Sequence, residues 1–270
     1  SPKRKKSSAQ GSVQSKAKTK KVQKKQPEAP KIIYDEFAPV EEQHNIIFKP
    51  NVGPQTDFLA ASEREVLYGG SAGGGKSYAM LADPLRFMGH PAFSGLLLRH
   101  TTEELRELIF KSQEMYPKIW PGIKWSERKM QWTAPSGARL WMSYLDKEDD
   151  VLRYQGLAFS WIGFDELTQW PSPFAWNYMR SRLRSTAKDL PVYMRATTNP
   201  GGRGHHWVKK MFIDPAAYGV SFDATDIETS EVLRYPAGHE KAGKALFKRK
   251  FIPARLRDNP QLGKLLTQME

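Results

Sequence analysis

Short apolar runs alternate along this chain with stretches whose apolar residues recur every three to four positions. Val66-Leu67-Tyr68 and Ser94-Gly95-Leu96-Leu97-Leu98-Arg99 are runs of strand length, and each is followed by a helical pattern. After the second, Thr101-x-x-Glu104 is a capping box, and Leu105, Leu108 and Ile109 line one face of the helix it opens. Pro54-Gln55-Thr56-Asp57-Phe58-Leu59 predicts a short helix leading into the first strand. Phe159–Phe164 and Val192–Thr197 are two further buried strands. Strand, helix, strand, helix is the grammar of an α/β domain whose mainly parallel central sheet is flanked by helices. Between Trp125 and Leu145 the pattern changes: Gln131-Trp132-Thr133 and Arg139–Tyr144 flank Pro135-Ser136-Gly137, which predicts an inserted β-hairpin. Asp146 to Asp150 reads as a charged loop, and the eight tryptophans, spread through these elements, read mostly as packing residues.

The candidate chemistry sits at the ends of these strands. Gly70-Ser71-Ala72-Gly73-Gly74-Gly75-Lys76-Ser77 fits the phosphate-binding pattern G-x-x-x-x-G-K-[S/T] and follows a strand, as that motif requires. Glycines let successive N–H groups turn inward around an anion, and the helix starting near Lys76 directs its positive end at it. Lys76 then reaches the β- and γ-phosphates, and Ser77 ligates Mg²⁺; an ordinary glycine turn needs neither residue. The strand ending in Asp165-Glu166 supplies the second half of such a site. Mg²⁺ keeps several waters and takes few carboxylates, here Asp165, while Glu166 orients or deprotonates the attacking water. On its own, the same pair is equally a solvated acidic start to a loop. Thr197-Thr198-Asn199 ends the next strand, where hydroxyl and amide groups sense a γ-phosphate, and Asn199-Pro200-Gly201-Gly202 is a strong turn.

An arginine aimed at the spread negative charge of a phosphoryl-transfer transition state contributes on the order of 10³–10⁵ in rate. Arg153, in a loop just before the Asp165 strand, is the first choice, acting on a neighbouring subunit's nucleotide, and Arg203 is the second; a surface or DNA-contacting role stays open for both. His205, His206, Trp207, Lys209 and Lys210 form an arrangement that could touch a phosphate backbone. Adjacent histidines lack the spacing of a zinc site.

Composition alters this picture in one respect. The net charge of +13 looks like a nucleic-acid signature, but residues 1–30 carry nine lysines and Arg4 against Glu28 alone, a local charge of +9 that leaves +4 for the remainder. That stretch is too poor in apolar residues to fold by itself, which makes it a basic, disordered tail: either a screening-sensitive grip on polyanions or a solubilising arm. At 39% hydrophobic content the remainder can bury a core; no apolar run has membrane-spanning length, and the absence of cysteine excludes disulfides and thiol chemistry.

Together, Gln55–Leu59, Gly69–Ser77, Arg153-Tyr154-Gln155-Gly156, Phe164-Asp165-Glu166 and Thr198–Gly202 resemble, in that order, the ATPase domain of the large terminase of tailed double-stranded DNA bacteriophages. Phe251-Ile252-Pro253-Ala254 with Asp258-Asn259-Pro260 resembles the segment leading out of that domain. The resemblance implies a RecA-like P-loop ATPase of the additional-strand, catalytic-glutamate type, with Glu166 as the catalytic carboxylate and Gln55 near the adenine. It implies ATP and Mg²⁺ as cofactors. It also implies a ring, usually of five subunits, that docks on the portal of a procapsid in the host cytoplasm, is assisted by a small terminase subunit, and drives duplex DNA inward. Within that reading the chain divides into a tail over 1–31, the ATPase domain over 32–262, and, over 263–270, the start of a linker to a C-terminal nuclease domain. A helicase-like translocase and a non-hydrolysing, nucleotide-gated module are the alternatives.

Overall fold

Near-continuous apolar runs, whose successive side chains point to opposite faces, make the central strands of this chain an inner wall for two cores at once. In the computed structural model, which describes residues 49–70 and 75–255, nine strands form a single sheet in the order β3-β4-β5-β2-β6-β7-β1-β9-β8. The strands are β1 (Glu65–Gly70), β2 (Ser94–Arg99), β3 (Lys124–Ser126), β4 (Gln131–Thr133), β5 (Arg139–Tyr144), β6 (Trp161–Phe164), β7 (Tyr193–Thr198), β8 (Ser221–Asp223) and β9 (Lys248–Ala254). The six from β5 to β9 through the centre run parallel, while β3 and β4 pair antiparallel at one edge and β8 at the other. Val66, Tyr68, Leu97 and Trp161 face one core with Phe58, Met80, Leu105 and Trp132. Their neighbours Leu67, Leu96, Leu98, Ile162 and Phe164 face the other with Trp170, Trp176 and Phe212. Six of the eight tryptophans are buried, so these residues do pack the cores.

The helices are α1 (Pro54–Ala60), α2 (Lys76–Ala82), α3 (Thr102–Ile119), α4 (Phe174–Arg180) and α5 (His205–Val208). Proline opens α1, where its missing N–H costs nothing. At α3 the capping box is formed, with Thr101 Oγ1 accepting from the Glu104 N–H and Glu104 Oε2 accepting from the Thr101 N–H. Among the described residues no helix is long and apolar enough to cross a membrane.

Several details depart from the sequence reading. The charged stretch is a loop only to Lys147; Asp150 Oδ2 accepts from the Lys147 N–H and a 3₁₀ helix follows over Glu148–Tyr154, so Arg153 stands on a helical turn. The β6 ladder starts at Trp161, while Phe159 makes an isolated bridge with Leu183. The insertion has a third strand, β3, whose Trp125 pairs with Trp132. Phe251–Ala254, expected to lead out of the domain, is a strand of the sheet beside β1. Pro253 is tolerated there because β8 pairs only as far as Lys250 and leaves the end of β9 at an edge. The tail over 1–31, Asp258-Asn259-Pro260, the linker over 263–270, and Ser71, Ala72, Gly73 and Gly74 of the glycine loop lie outside the described residues.

Candidate functional site

Parallel strands deliver their C-terminal ends to one edge, and the register here brings four of them level. Gly69 pairs with Thr198, Phe164 with Ala196, and Leu98 with Phe164, so the ends of β1, β7, β6 and β2 lie side by side. In open α/β sheets ligands bind at this edge. The glycine loop leaves β1, the acidic pair leaves β6, and β7 with Thr197, Thr198 and Asn199 stands between them as an additional strand.

Two glycines of the loop are required by geometry. A Cβ on Gly70 would lie 1.8 Å from the Ala254 carbonyl oxygen, so only glycine lets β1 continue this close to β9. Gly75 has φ +71°, and a Cβ there would meet Gln55 Nε2 at 2.8 Å. Gln55, expected near the adenine, is buried with its amide committed at both ends: Nε2 donates to Gly75 O (2.9 Å) and Oε1 accepts from the Asn51 N–H (2.6 Å). Lys76 reaches back to the end of β1, its Nζ donating to Gly70 O at 3.2 Å. Burial pulls the ammonium below its ordinary range, opposed by the charges of Glu166 and then Asp165, which places the lysine within the field of both carboxylates. Ser77 follows, half-buried, on the first turn of α2.

Asp165 is 1% exposed. Its Oδ1 accepts from Thr197 Oγ1 and its Oδ2 from Arg99 Nη1 at 2.9 Å. Glu166 adopts left-handed backbone angles, φ 61° and ψ 57°, a conformation unusual for a residue other than glycine and typical of functional sites. Its N–H donates to Thr197 Oγ1 (3.0 Å), while its carboxylate accepts from Asn199 twice, from Nδ2 at Oε1 (2.6 Å) and from the backbone N–H at Oε2 (3.1 Å). Burial and the adjacent Asp165 charge push the Glu166 carboxyl above its usual range, with Arg99, the Asn199 N–H and Lys76 opposing. Thr198 Oγ1 donates to Thr168 Oγ1 (2.9 Å), closing the polar seam behind the pair.

The structure thus brings Lys76, Ser77, Asp165, Glu166, Thr197, Thr198, Asn199 and Gln55 to one edge. The two candidate fingers are not among the contacts of that cluster. Arg153 is 43% exposed and held by its own chain, with Nη2 donating to Tyr144 O (2.7 Å), Nε to Asp150 O (3.0 Å), and Asp150 Oδ2 at 3.6 Å. Arg203 is exposed in the turn before α5. Of the basic residues that follow, Lys209 pairs with Asp214, and Trp207 is buried with its indole donating to Trp170 O. Arg99 escaped the sequence reading: as the polar end of an apolar run it belongs to no motif, and only the alignment of Leu98 with Phe164 reveals it.

Asp165 is a buried carboxylate whose oxygens already accept from the Arg99 cation and from Thr197, and Ser77 offers a hydroxyl on the first turn of α2 at the same sheet edge; both are hard oxygen donors of the kind Mg²⁺ takes. The fit to Mg²⁺ therefore rests on Asp165 and Ser77.

A central parallel sheet with an extra strand between the glycine-loop strand and the acidic strand defines a RecA-like P-loop ATPase of the additional-strand class. The sequence model for the terminase large subunit, T4likevirus-type, N-terminal region matches residues 67–238, and the chain belongs to that family. Its function is that of the ATPase domain of a phage DNA-packaging motor. Among solved structures it is similar to the large terminase ATPase domain of Thermus phage P74-26, with a TM-score of 0.52 at 11% identity over 82% of this chain and 87% of that one. It is also similar to the large terminase of a thermophilic bacteriophage in complex with ATP-γ-S, with a TM-score of 0.52 at 16% identity over 82% of this chain and 48% of that one, about half its length. At such identities these likenesses speak for the fold. None of the curated proteins compared with the chain matches it.

Proposed function

We propose that ATP binds across the ends of β1, β7 and β6, with Lys76 neutralising the β- and γ-phosphate oxygens, Gly70–Gly75 lining them with backbone N–H groups, and Gln55 bordering the adenine side. Ser77 and Asp165 would hold Mg²⁺, which supplies Lewis-acid stabilisation of the charge that develops on the phosphate oxygens. Glu166 takes a proton from water as its oxygen attacks the γ-phosphorus, and the bond to the β-phosphate oxygen breaks to leave ADP and phosphate. Asn199 fixes the carboxylate for that role, and Thr197, bonded to Asp165 and to the Glu166 N–H, joins the acidic pair to β7, so the occupancy of the γ position reaches that strand. Arg153 serves a neighbouring subunit's nucleotide in the ring, with Arg203 as the alternative. Hydrolysis drives double-stranded DNA through the portal into a procapsid, with a small terminase subunit assisting and five copies forming the ring in the host cytoplasm.

The observation that carries this reading is the carboxylate of Glu166, held from two sides by Asn199 and lying in the field of Lys76. Glu166→Gln keeps the shape and removes the base. Phosphate release then falls to background while ATP binding stays within about threefold of wild type. Loss of binding, or persisting turnover, counts against the assignment.

A further inference from the structure

Arg99 is used by none of the steps above, yet it makes more charged contacts at this edge than any other residue outside the motifs. It ends β2, directly beside Asp165, with its side chain 13% exposed. Nη1 lies 2.9 Å from Asp165 Oδ2 and 3.9 Å from Glu166 Oε1, and Nε lies 3.8 Å from Glu104 Oε2. That buried Nε has no hydrogen-bond partner, although Glu104 is within a small shift of it. Glu104 is itself braced, accepting from Gln169 Nε2 at Oε1 (2.7 Å) and from the Thr101 N–H at Oε2 (3.3 Å). The guanidinium therefore stands between two acceptors, fully bonded to one and half-committed to the other.

The charge count at the edge gives this arrangement a consequence. Asp165, Glu166 and Glu104 contribute three negative charges and Lys76 and Arg99 two positive ones, so the acidic pair already stands in the field of two resident cations before any ligand arrives. A bare divalent cation would have to displace Arg99 from Asp165 and stand beside the charges of Arg99 and Lys76 with no anion of its own. The same cation carried by a triphosphate brings its own compensation.

We propose that Arg99 is a positioning residue that acts as the resident counter-cation of Asp165, keeping free divalent metal out and yielding the carboxylate to metal that arrives with nucleotide, whereupon its fork closes on Glu104. The proposal rests on the nucleotide-site reading above and adds an order of events to it: metal enters with the triphosphate. Arginine suits the task better than a motif lysine because its fork is permanently charged and spans both acceptors.

The test is Mn²⁺ binding to the full chain without nucleotide, followed by the EPR signal of free Mn²⁺. Arg99→Gln, which keeps length and hydrogen bonding but removes the charge, binds Mn²⁺ roughly tenfold or more tightly than wild type, a conservative figure for deleting a charge in contact with a carboxylate. Arg99→Lys, which keeps the charge, stays within about threefold of wild type. Adding Asp165→Asn to Arg99→Gln abolishes the gain. Equal Mn²⁺ affinity in wild type and Arg99→Gln, or a lysine variant that behaves like the glutamine one, overturns the proposal. In parallel, wild type is titrated with preformed Mn²⁺–ATP and uptake is read as metal retained with the protein on ultrafiltration, because ATP alone removes the free Mn²⁺ signal. If uptake is seen there while Arg99→Gln shows no gain, the role of Arg99 alone falls; if uptake is absent there, the nucleotide-site reading falls with it.

Discussion

Asn199→Ala removes the side-chain half of the clamp on Glu166 and leaves the backbone half. The lost contact is the 2.6 Å bond from Nδ2 to Glu166 Oε1, a hydrogen bond to an ionisable acceptor in a partly buried site. Bonds of that kind contribute about 1.5–3 kcal/mol. Once the amide is gone the carboxylate keeps the 3.1 Å bond from the Asn199 N–H at Oε2, while Oε1 loses its amide donor. If the bond acts on the transition state, the loss corresponds to a fall in kcat of about 10- to 160-fold. The KM for ATP should move by less than about threefold, since Asn199 is assigned no contact with the bound phosphates. Steady-state phosphate release across an ATP titration separates the two parameters. A raised KM with unchanged kcat would make Asn199 a nucleotide ligand instead. Faster turnover than wild type would mean that Asn199 restrains Glu166, and either result refutes the positioning role.

Two further outcomes follow from the same geometry. Glu65, the first residue of the glycine-loop strand, is fully buried and held by Arg180 from α4 and by Arg249 Nε from β9 at 2.7 Å; burial alone would push its carboxyl up, but Arg180 and then Arg249 hold it below the usual range. Glu65→Gln strands Arg249 in the core and should cost about 3–5 kcal/mol in urea unfolding. In wild type the contribution is complete above the ordinary glutamate range and drains away as pH falls through the depressed native value, so the variant's deficit should shrink under acid; a deficit that is constant with pH would contradict the ion-pair account. For the ring, Arg153→Ala subunits mixed with Lys76→Ala subunits should recover phosphate release, because each variant spoils a different half of a shared site; confirmed mixed rings with no recovery rule out Arg153 as a finger acting in trans.

What was legible in the sequence was whatever local grammar dictates. The glycine loop between strand and helix, the capping box at Thr101, and an apolar strand ending in Asp165-Glu166 are each written in fewer than ten residues; the structure carries the capping box, the acidic strand end, and the strand and helix that flank the loop. The seam that makes these parts a site is written elsewhere. That Thr197 donates to Asp165, that Asn199 grips Glu166, and that Arg99 stands against both follow from the order of strands in the sheet and their register, which no single segment encodes. Gln55 shows the same limit: its motif is visible, but its bond to Gly75 depends on α1 packing beside the start of α2. The edge strands β3 and β8, and β9 beside the latter, were missed or misplaced because three-residue strands, and one containing proline, lack the long apolar runs that mark the centre.

Every role assigned at this edge depends on a nucleotide and its metal being gripped between Lys76 and the acidic pair. The decisive experiment is a crystal structure of this chain grown with Mg²⁺ and a non-hydrolysable ATP analogue. The γ-phosphate should lie against Lys76 Nζ, with density for a metal between Ser77 Oγ and the Asp165 carboxylate. A triphosphate bound elsewhere, or Asp165 still closed on Arg99 with the metal at another group, would contradict that grip.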